Sequence, residues 1–199
     1  MSVREFLVHL AMVTIGILIA LGLEQTVEAW HHRDLGIEAR ENILSEIRDN
    51  KQQVDRARPV VAKNREALQQ SLKIVRLYMA HKPPKHGVIQ IPANGPSLST
   101  TSWTTASNTG TLSYMNYAEA KRFAEAYQVQ AVLQHAEDDM VQSTVQAYSL
   151  VAFTSAGPAS MREDQLRDLE RQLSNSLGNV VFFDQVADQL SKEYARVLK

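Results

Sequence analysis

The chain has 199 residues, 44% of them hydrophobic and 22% charged, with a formal net charge of -1. This near-neutral balance offers no concentrated excess of Lys and Arg to neutralise phosphates, so no nucleic-acid partner is expected. Cysteine is absent, which excludes disulfides, thiolate metal sites and cysteine nucleophiles.

From Phe6 to Leu23 the sequence reads FLVHLAMVTIGILIALGL, interrupted only by His9 and Thr14 and free of formal charge. Eighteen helical residues rise to roughly 27 Å, just enough for a hydrocarbon core of about 30 Å. Glu24 ends the run, and Trp30 follows where an interfacial aromatic belt would lie. Ala20-Leu21-Gly22 has the small-x-small pattern of a signal-peptide cleavage site. The leading region is short and nearly neutral, however, and the helical pattern continues past it, so an anchor over residues 1–23 is the reading taken. A core helix of a soluble domain would have to bury every face, which a chain of this length rarely can. The simpler arrangement leaves a short tail in the cytoplasm and exports the rest. In a Gram-negative cell that is an inner-membrane protein crossing once, with its soluble domain in the periplasm. Gly16 and Ala20 form a small-xxx-small pair on which a second membrane helix could pack closely. His9 lies shallow enough for its neutral imidazole to reach the headgroups.

Residues 24–81 are expected to form a stalk and the first bundle helices. Ile47, Lys51, Val54, Arg58, Val61, Arg65, Leu68, Leu72, Val75 and Met79 alternate at spacings of four and three, a heptad seam. Lys51, Arg58 and Arg65 on that seam predict a packed helix with a wet, basic edge. Gly36 is a weak spot, and Pro59 predicts a kink or break near Asp55–Arg58. Residues 82–115 read as an ordered loop with a short helix. Pro83-Pro84 stops the helix, Val88–Ile91 is a short extended piece, and Asn94-Gly95-Pro96 forms a turn. The short helix is capped by Ser99 or Thr100 and ends at Gly110.

Residues 116–199 supply the remaining bundle helices. Asn116 caps the first of them. Its stripe Ala126, Val129, Leu133, Ala136, Met140, Thr144, Ala147 and Val151 is joined by a second through Ala124, Tyr127, Ala131, Val141, Val145 and Tyr148. Two stripes predict packing on more than one side. Thr154–Ala159 closes this helix, and Ser160 with Glu163 is a capping box for the last one. Leu166, Leu169, Leu173, Leu177, Val180, Phe183, Ala187, Leu190, Tyr194 and Val197 then recur at helical spacing. The fold class expected is all-α: an N-terminal transmembrane helix continuing into a small antiparallel helical bundle.

No phosphate-binding glycine loop, zincin motif or nucleophile elbow is present. Glu28, His31, His32 and Asp34 could offer metal ligands, but adjacent histidines point about 100° apart on a helix, and an interfacial polar cluster is the preferred reading. His135, Glu137, Asp138 and Asp139 read as a wet helix face. The serines and threonines of Ser97–Ser113 have no His or Lys beside them to activate one. No catalytic residue, metal site or cofactor is therefore assigned, and an enzyme is not expected.

The stretches GILIALGLEQTVEAWHHR and EARENILSEIRDN resemble the start of a group of bacterial single-pass membrane-anchored helical proteins without an assigned activity. The central SWTTASNTGTLSYM, carrying Trp103, Ala106, Thr109, Gly110, Leu112, Tyr114 and Met115, resembles a Trp/Tyr-x-x-Ala…Gly-x-Leu pattern in the same group. The resemblance spans the first fifty residues and roughly thirty in the middle, and it implies a single-pass helical protein. It marks Trp103, Thr109, Gly110 and Tyr114 as either a ligand-binding segment or an end cap. The expected role is a non-enzymatic accessory or scaffold module, with the bilayer and a membrane-protein partner or a second copy as its contacts. The alternative is an extracytoplasmic small-ligand sensor built on Trp103–Tyr114.

Overall fold

A computed structural model describes residues 3–92, 94–152 and 157–199. Most of the described residues are helical, and no strand occurs among them. Four α-helices carry the chain: α1 (Val3–Met79), α2 (Thr101–Asn108), α3 (Tyr117–Ala152) and α4 (Glu163–Val197). Short 3-10 turns lie at Thr111–Tyr114 and Gly157–Ser160. The chain divides into two compact units, one of Met1–Ile43 with Thr101–Ala120, the other of Leu44–Thr100 with Lys121–Lys199.

α1 runs unbroken through Pro59, against the expected kink or break. Proline removes the hydrogen bond to the Asp55 carbonyl, but Pro59 and Asp55 both face solvent, where water can take that acceptor. Val54 and Val61, buried on the opposite face, hold the turns on either side. The helix ends ahead of Pro83-Pro84. His81 adopts the left-handed conformation (φ 55°), and Lys82 N–H donates to the Leu77 carbonyl at 2.9 Å, a Schellman closure.

In the second unit the heptad seam is the core. Ile47, Val54, Val61, Leu68 and Val75 on α1 are buried with Leu133, Met140 and Ala147 on α3 and Leu169, Leu173, Val180, Phe183 and Leu190 on α4. The cationic seam positions pair with α4. Arg58 meets Asp188 at 2.9 Å, Arg65 approaches Asp184 at 3.9 Å, and Lys51 reaches Ser191 at 3.5 Å. Farther along, Arg76 meets Glu170 at 2.6 Å. Numbers thus rise on α1 as they fall on α4. Arg58 and Arg65 find their acidic partners on the chain's own last helix, whereas that of Lys51 is Asp55 on α1.

The segment between α1 and α2 is not helical, yet it is fastened to α1. Gln90 N–H donates to Ser71 Oγ at 2.8 Å, and Ser71 returns a bond to the Gln90 carbonyl at 2.9 Å. Ser99 N–H donates to Asn50 Oδ1 at 2.9 Å. The connector therefore retraces α1 from residue 71 towards residue 50. Val88–Ile91 forms no strand, and within it the Gln90 N–H and carbonyl bond the Ser71 side chain rather than a neighbouring strand.

Asn116 caps α3 as expected, its Oδ1 accepting from Ala118 N–H at 3.0 Å and Glu119 N–H at 3.3 Å. The second α3 stripe does not pack on another side. Tyr127 is buried, but Ala124, Ala131, Val141, Val145 and Tyr148 are exposed. Burying Leu133, Ala136 and Met140 uses one face of α3 and leaves those residues on the other. Of the expected closure Thr154–Ala159, Thr154–Ala156 lie outside the described residues. α4 starts two residues later than Ser160 suggests: Arg162 N–H donates to Gln165 Oε1 at 2.9 Å, while Ser160 Oγ bonds the Gly157 carbonyl at 3.0 Å. On α4, Arg167 pairs with Glu163 and Lys192 with Asp188, each four residues apart.

Candidate functional site

Three features stand out: the apolar start of α1, a cleft in the first unit and a buried polar network in the second. Within α1, the window that is long and apolar enough to cross a membrane has none of its residues buried. Leu18 is 63% exposed and Val27 69%. Gly16 and Ala20 are exposed too, and a methyl group added at Gly16 would meet nothing within 4 Å. The hydroxyls of Thr14 and Thr26 fold back onto the Leu10 and Gly22 carbonyls, at 2.9 and 2.8 Å, which hides them from an apolar medium.

The cleft of the first unit has a volume of about 520 Å³ and lies between α1 and the segment from Thr101 to Tyr114. Gly36 positions that segment. A Cβ there would come within 2.9 Å of the Tyr114 carbonyl oxygen, so the weak spot of the sequence is a close-contact residue. The Tyr114 ring stacks on His32 at 4.1 Å with an 11° interplanar angle. Arg40 and Glu119 add an ion pair at 2.8 Å. Gly110 is left-handed (φ 72°), which turns the chain from α2 into Thr111–Tyr114. Thr109 Oγ1 bonds the Thr105 carbonyl at 2.8 Å and Thr111 Oγ1 at 2.7 Å.

Of the segment residues singled out from the sequence, Ala106, Thr109 and Tyr114 line the cleft. Gly110 shapes the turn, and Trp103 is half-buried in α2, as are Leu112 and Met115 farther on. His31 and His32 line the cleft as well. Glu28 lies 3.8 Å from His32, and no group of three or more His, Asp or Glu assembles as a metal centre among the described residues. His135, Glu137 and Asp138 line a separate polar cleft in the second unit with Gly95–Leu98. Burial, then the charge of Asp138, raises the Glu137 pKa.

The network in the second unit was not foreseen. Glu46 accepts from Tyr127 Oη at 2.5 Å and from Ser99 Oγ at 2.6 Å. Asn50 Nδ2 and Gln130 Nε2 both donate to the Ser99 carbonyl, at 2.7 and 2.9 Å. Tyr194 Oη donates to Gln130 Oε1 at 2.5 Å. α1 and α3 thus bond Ser99 of the connector directly, α4 joins through Tyr194 on Gln130, and Gln130 and Tyr194 are fully buried. Burial, followed by the bond to Glu46 and its charge, pushes the Tyr127 phenol far up; burial, then Glu46, also raises Tyr194. The signal available was Gln130, which falls on the buried stripe between Ala126 and Leu133. Such a network holds the connector in register against the helices.

Comparison of the chain with protein families, curated proteins and solved structures found no match.

Proposed function

We propose that the protein is a membrane-anchored, non-enzymatic helical module. The start of α1 crosses the bilayer, and the antiparallel bundle of α1, α3 and α4 serves as an accessory or scaffold surface for a membrane-protein partner or a second copy. One observation carries the reading: an apolar helical window with no buried residue belongs to the same unbroken helix that supplies the bundle seam. A core helix of a soluble domain would have buried a face, and burying about 25 cal/mol per Å² of apolar surface is what such side chains otherwise offer. Lipid meets that demand without a protein partner.

The resemblance of its first fifty residues adds a bacterial membrane to this proposal, and the orientation we propose puts the bundle on the periplasmic side of the inner membrane. The chain lacks cysteine, so a single Ser45→Cys variant reports topology without background. An impermeant maleimide added to cells with a permeabilised outer membrane should label it. Protection until the inner membrane is lysed would reverse the orientation. The scaffold role is tested by mild detergent extraction followed by mass measurement of the native particle. A mass above that of the chain in its detergent belt is expected, and a monomer throughout would contradict it.

A further inference from the structure

The cleft of the first unit is not used by the scaffold reading. Its floor is apolar, made by Leu35, Ala39 and the buried Ala106. Its rim carries hydroxyls and an amide, among them Asn42, Thr105 and Thr111, and the stacked rings of His32 and Tyr114 form part of its wall. One carboxylate, Glu38, and two imidazoles, His31 and His32, line it; no Lys or Arg is among the lining residues. A phosphate or carboxylate ligand would find no fixed cation there, and Glu38 would repel it. The volume of about 520 Å³ falls in the range of small-molecule sites.

We infer that this cleft binds an uncharged, polyhydroxylated head group: a saccharide. Hydroxyl, amide and carboxylate groups together donate and accept in several directions, which a ring of sugar hydroxyls matches. The apolar floor of Leu35, Ala39 and Ala106 suits the less polar face of such a ring. Two sources present this chemistry, the head of a glycolipid and a free saccharide. His31 lies eight residues past Leu23, about 12 Å along the helix. That height above the hydrocarbon favours the glycolipid, and this choice of source alone rests on the membrane reading.

The test uses the full chain in phosphatidylcholine nanodiscs, with the His32 and Tyr114 side-chain resonances as reporters. One arm adds a monoglucosyl diacylglycerol to the discs, a second adds methyl β-glucoside to the solution, and a third adds phosphatidylglycerol. Saturable shifts at both residues are expected with the glycolipid, weakened at least tenfold in Thr105→Trp. That variant fills the cleft from an exposed position and should keep the wild-type unfolding midpoint. Glu38→Gln, also at an exposed position, supplies a second, milder lesion. Shifts with methyl β-glucoside assign the site to a free sugar. Saturation by phosphatidylglycerol alone, no saturable shift in any arm, or equal binding by Thr105→Trp would overturn the inference. Should the chain fail to enter the discs, the methyl β-glucoside arm runs without a bilayer, so failure of the anchor and failure of the cleft are read separately.

Discussion

Between Leu10 and Leu23, α1 is apolar on every side and exposed throughout. Between Ile43 and Val75 the same helix is rich in charge, yet Ile43, Ile47, Val54, Leu68 and Val75 are sealed from solvent completely. The richer supply of apolar side chains therefore produces no core, and the poorer one does. Spacing decides this: apolar residues four and three apart leave the intervening positions free to face water, and two other helices can cover one stripe. A helix apolar all round has no wet side to offer, so its stable surroundings are apolar on every side.

Breaking each region should leave the other's behaviour intact. The largest effect is expected at the buried seam. Phe183→Ala should cost about 3–5 kcal/mol, read as a lowered unfolding midpoint in detergent with membrane association unchanged. A charge within the apolar stretch acts the other way. Ile17→Lys should cost about 2.5–3.5 kcal/mol of insertion free energy, on the order of a hundredfold in partitioning, with the bundle's midpoint unmoved. If Ile17→Lys instead unfolded the bundle, the contrast between the regions would be false.

A smaller effect is expected in the polar network. Tyr127→Phe withdraws a donor from Glu46 and should cost about 1–3 kcal/mol. Both network phenols have folded pKa values raised above the ordinary one near 10, so their contribution is fully present below that pH and is lost as pH rises beyond it. Denaturation at pH 9 and 11 should show the loss in the wild type and a lesser loss in Tyr127→Phe. At the acid end Asp55 behaves oppositely. Its burial is outweighed by hydrogen bonds from Lys51 and Ser191 and by the nearby charges, so its pKa is lowered and its contribution fades as pH falls below about 4. The smallest change is expected from Arg65→Gln. Its ion pair with Asp184 is long and solvent-exposed, so the midpoint should move by less than about 1 kcal/mol.

Periodicity made the seam residues, the α4 stripe and the Asn116 cap legible, because each depends on side chains within one or two turns. What distant residues decide was hidden. Pro59 alone reads as a break, since nothing local shows that the Asp55 carbonyl points to solvent. Gly36 reads as a weakness, although the Tyr114 backbone rests on it. The α3 residues Val141, Val145 and Tyr148 read as a second packing stripe, but they are exposed, with no helix among the described residues burying them. The cleft was half visible: Thr109 and Tyr114 were singled out, while His31, His32 and Asn42 come from seventy residues earlier and meet them only in three dimensions.

The most direct measurement is flotation of the full-length chain with phospholipid vesicles after an alkaline carbonate wash. An anchored α1 predicts that the protein rises with the vesicles and withstands the wash. Recovery of the intact polypeptide in the aqueous fraction, without detergent, would contradict it.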